Sequence, residues 1–479
     1  MFKRPLTCIV LLFVVRLIGI TNPPLEVGHN WRQTTVMMVA RNFYEGGLDL
    51  LHPRVDMAGE LSGITGMEFP LLNALIALAG FVFGFDAGWG RLINLLVSSW
   101  GLWMFYRLVR RFHTERLAMF AAVLLGSSIW FDFSRKIMPD TFAMSFMIGA
   151  LYFGAAYMAH SEVRTRRRNL LAFGALLLIA GLSKLPVVYA VPLLGLIALA
   201  PESNRNRLLP LAAVGAMVAL PIFWWYFIWV PHLNETYGYT HFFMGVGWMR
   251  GMDELAVDFH GTLRQFYDAP LKYTGFIAAL GGWLWSLKSR DRRVWMPATL
   301  LLACFVVIMI KSGNNFPRHN YYMVPFAPVM AWLAAYGIAQ VANRRIALAL
   351  VGIVVVEGIA NQQHAFFLRT DQTALVQLEA DLNTVSAQNS RIAINSGLYP
   401  TPMYFAHRKG WICTNDQLSH PNFRDSLAAL GCAEVVILKN RFGSYTELPL
   451  EVITDTDDWT IYRMETDHPS THPSPKKTD

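Results

Sequence analysis

Residues 208–227 read Leu-Leu-Pro-Leu-Ala-Ala-Val-Gly-Ala-Met-Val-Ala-Leu-Pro-Ile-Phe-Trp-Trp-Tyr-Phe, without one charged side chain. As a helix rising ~1.5 Å per residue, such a run matches the ~30 Å hydrocarbon core of a bilayer. The run Ile346–Ile359 reads the same way, with Glu357 its only charge. Outward from these two, apolar runs fill most of residues 5–362, and the 479-residue chain is 54% hydrophobic but only 15% charged. Soluble domains carry roughly 25% charge. The reading is an all-α polytopic membrane protein, and only the last ~115 residues regain mixed composition.

The net charge of +8 would suggest nucleic acid in a soluble protein. Here the basic residues stand in short clusters between apolar runs and act as topology signals, so no nucleic-acid partner is expected. The N-terminal Met-Phe-Lys-Arg and the apolar run to Ile20 have no small-x-small cleavage site behind them and read as a retained first span. The clusters Lys3–Arg4, Arg107–Arg116, Arg164–Arg168, Arg205–Arg207, Lys288–Arg293 and Arg344–Arg345 should all face the cytoplasm. About eleven spans satisfy that demand, near 5–20, 88–107, 117–134, 141–160, 169–183, 185–200, 208–230, 274–289, 294–311, 322–341 and 346–362. Pro70–Phe85 must then not cross. It is short and broken by Gly80 and Gly84, and reads as interfacial or re-entrant. The expected location is the cytoplasmic (inner) membrane, with the N-terminus inside and the C-terminus extracytoplasmic.

Four segments then lie outside: loop 21–69, the turn Arg135–Asp140, loop 231–273 and the turn Lys311–Tyr322. The cytoplasmic loops have no Gly-rich phosphate cradle, so chemistry is expected on the outer face. In the long first loop, Thr34–Tyr44 places Val36, Val39, Ala40 and Phe43 on one helical face and should lie along the membrane surface. Glu68, in Gly66-Met-Glu-Phe-Pro, falls at the water–lipid boundary, where partial desolvation should raise its pKa and suit it to proton transfer. A plain helix N-terminal acid is the alternative. Arg135 and Lys136 stand outside against the charge rule, beside Asp140, either to hold a lipid phosphate or as a surface pair that caps the helix. Lys184 lies between two apolar runs and must snorkel or meet an anion. Arg318, His319, Tyr321 and Tyr322 close the set, although tyrosines there also suit an interfacial belt. Carboxylates and cations around a membrane-level pocket are what a polar reaction on a phospholipid-like substrate requires.

These motifs resemble, over roughly residues 5–340, the GT-C membrane glycosyltransferases that use polyprenyl-phosphate sugars. Within that class the nearest likeness is glycosyltransferase family 39, the branch of protein O-mannosyltransferases and aminoarabinose transferases. Val39-Ala-Arg-Asn-Phe43 is similar to the family's interfacial helix, and Glu68-Phe-Pro-Leu71 to its acid-Pro-Pro-Leu. Phe83-Gly84, Arg91, Pro139-Asp140, Lys184-Leu-Pro186 and Tyr321-Tyr-Met-Val-Pro325 follow in the family's order. The chain departs from the family where an Asp-Glu pair usually follows the first span, because the comparable stretch is Gly28-His-Asn-Trp-Arg-Gln33. Glu26, His29, Asp56 and Glu68 remain as candidates for that pair's role as base.

The resemblance implies transfer of a sugar from a polyprenyl-phosphate donor to a lipid, glycan or protein acceptor on the outer face. Such an enzyme must neutralise a departing phosphate and deprotonate an acceptor hydroxyl. Arg135, Lys136, Lys184 and Arg318 suit the first task, with His319 and Tyr321 as further binding residues; Glu68 or Asp140 suits the second. A divalent metal between carboxylates is compatible with the chemistry but not demanded by it. The competing readings are a transporter or flippase of lipid-linked saccharides, which predicts inverted repeats and mid-membrane charges, and a non-catalytic relative that lacks the acidic pair.

Residues 363–467 alternate helical and strand patterns and should form a small α/β outer domain. Leu375, Leu378, Leu382 and Val385 mark a helix face, and Arg391–Asn395, Glu434–Leu438 and Thr460–Met464 mark strands. An oxidising compartment would let Cys413 and Cys432 form a disulfide. The Pro-, Ser-, Thr- and Lys-rich tail 468–479 reads as disordered.

Overall fold

The structure, a computed structural model, describes residues 5–464 except 160, 202, 369 and 441. The cluster Lys3–Arg4 and the tail 468–479 lie outside the described residues. The chain divides into two compact units. One is Met1–Pro53 with Thr65–Leu368, and the other is Arg54–Ile64 with Arg369–Asp479.

The first unit is helical, and every one of the eleven expected stretches contains helix. Among the described residues, five helices are long and apolar enough to cross a membrane: Ala87–Phe112, Pro139–Ala159, Arg205–Tyr237, Arg292–Ser312 and Arg344–Phe366. Others are shorter than a bilayer is thick. Pro5–Val15 has 11 residues, and Leu71–Phe83, the stretch read as not crossing, has 13, or about 20 Å of rise. The stretch 185–200 is broken by proline: Leu185–Ala190 is a 3₁₀ turn carrying Pro186, and after Pro192 only Leu193–Ile197 is α-helical. The helix from Leu208 to Tyr237 widens into a π-helical turn at Trp225–Trp229, four residues after Pro221.

The helix Asn30–Gly46, which contains the expected helical stretch of the first loop, is buried on more than its one apolar face. Gln33–Arg41 are buried without interruption, Met37 and Met38 as fully as Val39 and Ala40. The polar face expected toward water is short and hydrogen-bonded inward. Thr34 and Thr35 return their hydroxyls to backbone carbonyls of the preceding turn, which lets the polar side of the helix pack inside the protein.

The second unit is a five-stranded mixed sheet. Its strands are β1 (Arg391–Ile394), β2 (Lys409–Ile412), β3 (Cys432–Leu438), β4 (Glu451–Asp455) and β5 (Trp459–Arg463), in the order β2-β1-β3-β5-β4. β1 pairs in parallel with β2 and β3, and β5 antiparallel with β3 and β4. The expected strands are present; β2 and β4 were not foreseen. Leu375, Leu378 and Leu382 are fully buried, as their spacing predicts. Arg54–Ile64, from the long first loop, joins this unit through backbone bonds: Gly59 N donates to Gly410 O at 2.7 Å, and Gly410 N donates to Asp56 O at 2.9 Å. Asp56 is thereby part of this sheet unit.

The expected Cys413–Cys432 disulfide is not formed; both are free, buried thiols in one apolar cluster. The sheet order is the reason. Cys413 follows β2 and Cys432 opens β3, with β1 between them, so the strands stand two ladder spacings apart, about 9–10 Å. A disulfide needs Cα atoms within ~7 Å. Burial pushes both thiols up to about 12, which keeps them protonated and unreactive.

Candidate active site

Four segments of the first unit bring charged side chains to one place. Glu68 is held from both sides by its backbone neighbours. Gly66 N donates to Asn234 Oδ1 at 2.9 Å, Met67 O accepts from Trp225 Nε1 at 2.9 Å, and Phe69 N donates to Leu182 O at 3.1 Å. The Phe69 ring stands edge-on to Trp225, 4.9 Å between centroids. A side chain at position 66 would run into Val230, so the close approach requires glycine. The π-helical turn that presents Trp225 thus fixes where Glu68 points.

Lys184 ends the helix Val163–Ser183 in an extended conformation, because the following Leu-Pro cannot continue an α-helix. Asp140 is the second residue of the helix Pro139–Ala159, whose first position suits a proline that needs no N–H partner. The turn before it is tied by Asn94 Nδ2, which donates to Lys136 O at 2.7 Å and Phe133 O at 3.0 Å. Gln33 Oε1 accepts from Ile137 N at 3.1 Å, so the helix Asn30–Gly46 is fastened to the same turn.

The result is a chain of alternating charges. Arg32 bonds Glu68, Lys184 Nζ lies 3.7 Å from Glu68 Oε1, and Lys184 Nζ lies 2.7 Å from Asp140 Oδ1. The Glu68 and Arg32 side chains keep 14% of their surface exposed, whereas Asp140 has none. Burial raises the Glu68 carboxyl, but Arg32 and then Lys184 outweigh it, so the group is held below the usual carboxylate range, the reverse of the rise expected from desolvation alone. Burial lowers the Arg32 guanidinium and Glu68 more than restores it, so both partners stay charged. Arg32, Glu68, Asn73, Ser183 and His241 line a small cavity of about 30 Å³. His241 is pushed down to about 4 by burial and then by Arg32, against the pull of Glu68, so it is neutral at pH 7.

The Tyr321 ring adjoins this cluster and a second group. Lys184 Nζ sits 5.2 Å from its centroid, the His29 ring meets it edge-on at 5.3 Å, and His319 stacks on it at 5.3 Å. His29 has left-handed backbone, φ 59°, directly after Gly28 at φ 79°, a conformation costly for a residue with a Cβ. Burial pushes its imidazole down to about 3, and the charges of Lys136, His319, Arg32 and Lys184 push the same way. His29 also borders a polar cavity of about 280 Å³ lined by Arg264, Arg318 and the ion pair of Lys272 with Asp268, 3.1 Å apart.

Three expected residues stand elsewhere. Glu26 is buried between two guanidinium groups, 3.0 Å from Arg135 and 3.4 Å from Arg91. Arg135 also donates to Gly19 O at 2.8 Å, Arg91 holds Asn22 O, and the Arg135 guanidinium lies 4.0 Å from the Phe366 ring centre. Lys136 pairs with Asp132 at 3.1 Å and reaches Val27 O and Gly28 O. Arg135 and Lys136 are each 1% exposed. They pin residues 19–28 to the turn 132–136, and Asp140 pairs with Lys184 rather than with Arg135. Arg32, Asn94, Arg91 as the partner of Glu26, and His241 are the contributors that sequence reasoning missed. The cation four residues into Gly28–Gln33 was the available signal for Arg32.

The donor set does not fit a divalent ion. Both carboxylates of the cluster, Glu68 and Asp140, are engaged by Arg32 and Lys184, and among the described residues no group of three His, Cys, Asp or Glu gathers elsewhere to hold a metal.

Residues 68–229 match the family described as dolichyl-phosphate-mannose-protein mannosyltransferase. No curated protein matches the chain. Among solved structures, ArnT from Cupriavidus metallidurans in the apo state aligns with a TM-score of 0.66 at 13% identity, over 96% of this chain and 98% of that one. The same protein bound to undecaprenyl phosphate gives a TM-score of 0.64 at 14% identity, over 96% and 98%. The archaeal oligosaccharyltransferase AglB from Archaeoglobus fulgidus, in complex with an inhibitory peptide and a dolichol-phosphate, gives 0.58 at 13% identity, over 90% of this chain and 69% of that one. The resemblance to GT-C membrane glycosyltransferases is therefore borne out, as a fold shared along nearly the whole chain and a family match over residues 68–229.

Proposed function

We propose that the chain moves a sugar from a polyprenyl-phosphate donor to an acceptor hydroxyl at the outer face of the cytoplasmic membrane. The carrying observation is the buried Arg32–Glu68–Lys184–Asp140 chain of charges, built from four separate segments. Two cations in low dielectric are what a departing phosphate needs, and they are preorganised. In the transfer, the bond from the anomeric carbon to the phosphate oxygen breaks and its electron pair leaves with the lipid phosphate. The acceptor oxygen bonds to that carbon, and its proton passes to a carboxylate.

Glu68 is that carboxylate in this reading. It is ionised, faces a cavity and retains surface, whereas Asp140 is wholly enclosed and serves to hold Lys184. A donor phosphate that draws Lys184 and Arg32 toward itself loosens their hold on Glu68. The base is thus freed as the leaving group is bound. His29, neutral beside the polar cavity lined by Arg264, Arg318 and the Lys272–Asp268 pair, is placed to contact the acceptor, a lipid, glycan or protein. The sheet unit is assigned to the outer face on the charge rule.

Binding of polyprenyl phosphate tests the reading. Lys184→Met combined with Asp140→Asn leaves no carboxylate unpaired, and it should weaken binding by roughly 10- to 100-fold, the scale of one charge-assisted hydrogen bond. Unchanged affinity in a folded double variant would remove Lys184 from the donor site.

A further inference from the structure

The end of the first unit away from Glu68 contains a large, mostly apolar cavity of about 620 Å³. The helix Ala87–Phe112 begins beside the Glu26–Arg91 cluster and carries Arg111 and the following His113 to the cavity some 30 Å further on. The helix Arg292–Ser312 contributes Arg292 and Arg293 from its opposite end. Both arginine groups belong to clusters that the charge rule assigns to the cytoplasm.

The cavity has a local cause. The proline-broken segment 185–197 supplies a 3₁₀ turn and five helical residues where a continuous helix would pack, and Tyr189, Ala190 and Leu193 line the space this leaves. Its inner wall is core, with Ile148 1% exposed and Met144 2%. Protein interiors tolerate few voids larger than a water molecule. Water would find few partners here, since Tyr189 Oη already donates to Pro325 O at 2.9 Å and Trp332 Nε1 to His113 Nε2 at 3.2 Å. At the mouth the charges change: Arg111, Arg292 and Arg293 face it, and the neighbouring acid, Asp291, accepts from Tyr336 and lies 3.8 Å from Arg293.

We infer that this cavity binds one anionic phospholipid of the inner leaflet, an acyl chain inside and the headgroup phosphate on the arginines at the mouth. The volume falls within the range of small-ligand sites, and basic pockets between helices on the cytoplasmic side are suited to anionic headgroups. The inference is independent of the reaction at Glu68. The occupant would close the gap left by the broken helix, and through the segment 185–197 it would brace Lys184, which immediately precedes it.

The test is lipid retention by the full chain in detergent, read by native mass spectrometry with phosphatidylglycerol and phosphatidylcholine of identical acyl chains. The wild type should retain phosphatidylglycerol at least ~10-fold better. Arg111→Gln, Arg292→Gln and Arg293→Gln together should abolish that preference, and Leu193→Trp should reduce retention of both lipids. Melting and helical content of each variant, compared with wild type, show that it is folded; if Leu193→Trp is not, the arginine variant decides alone. Equal retention of the two lipids by wild type, or a preference that survives loss of the three arginines, would overturn the proposal. So would displacement of phosphatidylglycerol by equimolar undecaprenyl phosphate, which would make the occupant a polyprenyl lipid.

Discussion

Lys184 Nζ lies 2.7 Å from Asp140 Oδ1, and the Asp140 side chain has no solvent-exposed surface. A buried pair of this kind contributes little net stability, but removal of one partner leaves an uncompensated charge. Asp140→Asn should therefore lower both stability, by about 3 kcal/mol, and sugar transfer. Thermal unfolding in detergent and turnover measured on the same preparation check this. A variant with normal melting and normal turnover would show that the pair has neither role.

Glu68→Gln keeps the shape and the hydrogen bond from Arg32 while removing basicity. Turnover should fall by at least ~10²-fold, the scale of lost proton-transfer catalysis, with a much smaller loss of donor affinity. Loss confined to affinity would mean that Glu68 only positions Arg32.

Glu26→Gln separates structure from chemistry. Glu26 neutralises Arg91 and Arg135 at 1% exposure, so the variant should lose about 3–5 kcal/mol and melt earlier. Turnover per folded molecule should be retained. A large fall in turnover without a shift in melting would return Glu26 to the active site.

The pH dependence of stability follows from His29 and Glu68. His29 is held near 3 when folded but titrates near ~6.5 when unfolded, so between those values the unfolded chain binds the extra proton and stability falls as pH falls. His29→Gln should flatten part of that slope. Glu68, held below the usual carboxylate range, contributes stability present above its ordinary value near ~4.3 and lost as pH drops through its lower folded value. Melting curves from pH 8 to 4 in one detergent read the histidine effect first. An unchanged slope in His29→Gln would contradict its buried, neutral state.

Cys413 and Cys432 should label with a thiol reagent only after denaturation, with equal electrophoretic mobility before and after reduction. A mobility shift on reduction would mean that the two sulfurs meet despite the intervening strand β1.

Much of the fold could be read from apolar runs and basic clusters, because membrane burial writes its signal in consecutive residues. The same contrast exposed part of the candidate site: Glu68, Asp140 and Lys184 stand out as charges at places where charges are expensive. Arg32 did not stand out, since the stretch Gly28–Gln33 was searched for an acid and its cation answers an acid 36 residues away. Glu26 was misplaced for the converse reason. Its partners Arg91 and Arg135 come from distant turns, and no local pattern records that they converge. The inclusion of Arg54–Ile64 in the sheet unit rests on backbone bonds at Gly59 and Gly410, which leave no side-chain pattern. The short strand β2, Lys-Gly-Trp-Ile, has too little alternation to announce itself, and without it the distance between the two cysteines was not foreseeable.

The measurement that bears most directly on the central claim is lipid-phosphate release. Purified protein is incubated with a panel of polyprenyl-phosphate sugars and membrane-extract acceptors, and the freed polyprenyl phosphate is quantified by mass spectrometry. Wild type should release it from at least one donor, and Glu68→Gln should release at least ~10²-fold less. No release from any donor by folded wild-type protein, or equal release by Glu68→Gln, would contradict sugar transfer at the Arg32–Glu68–Lys184–Asp140 cluster.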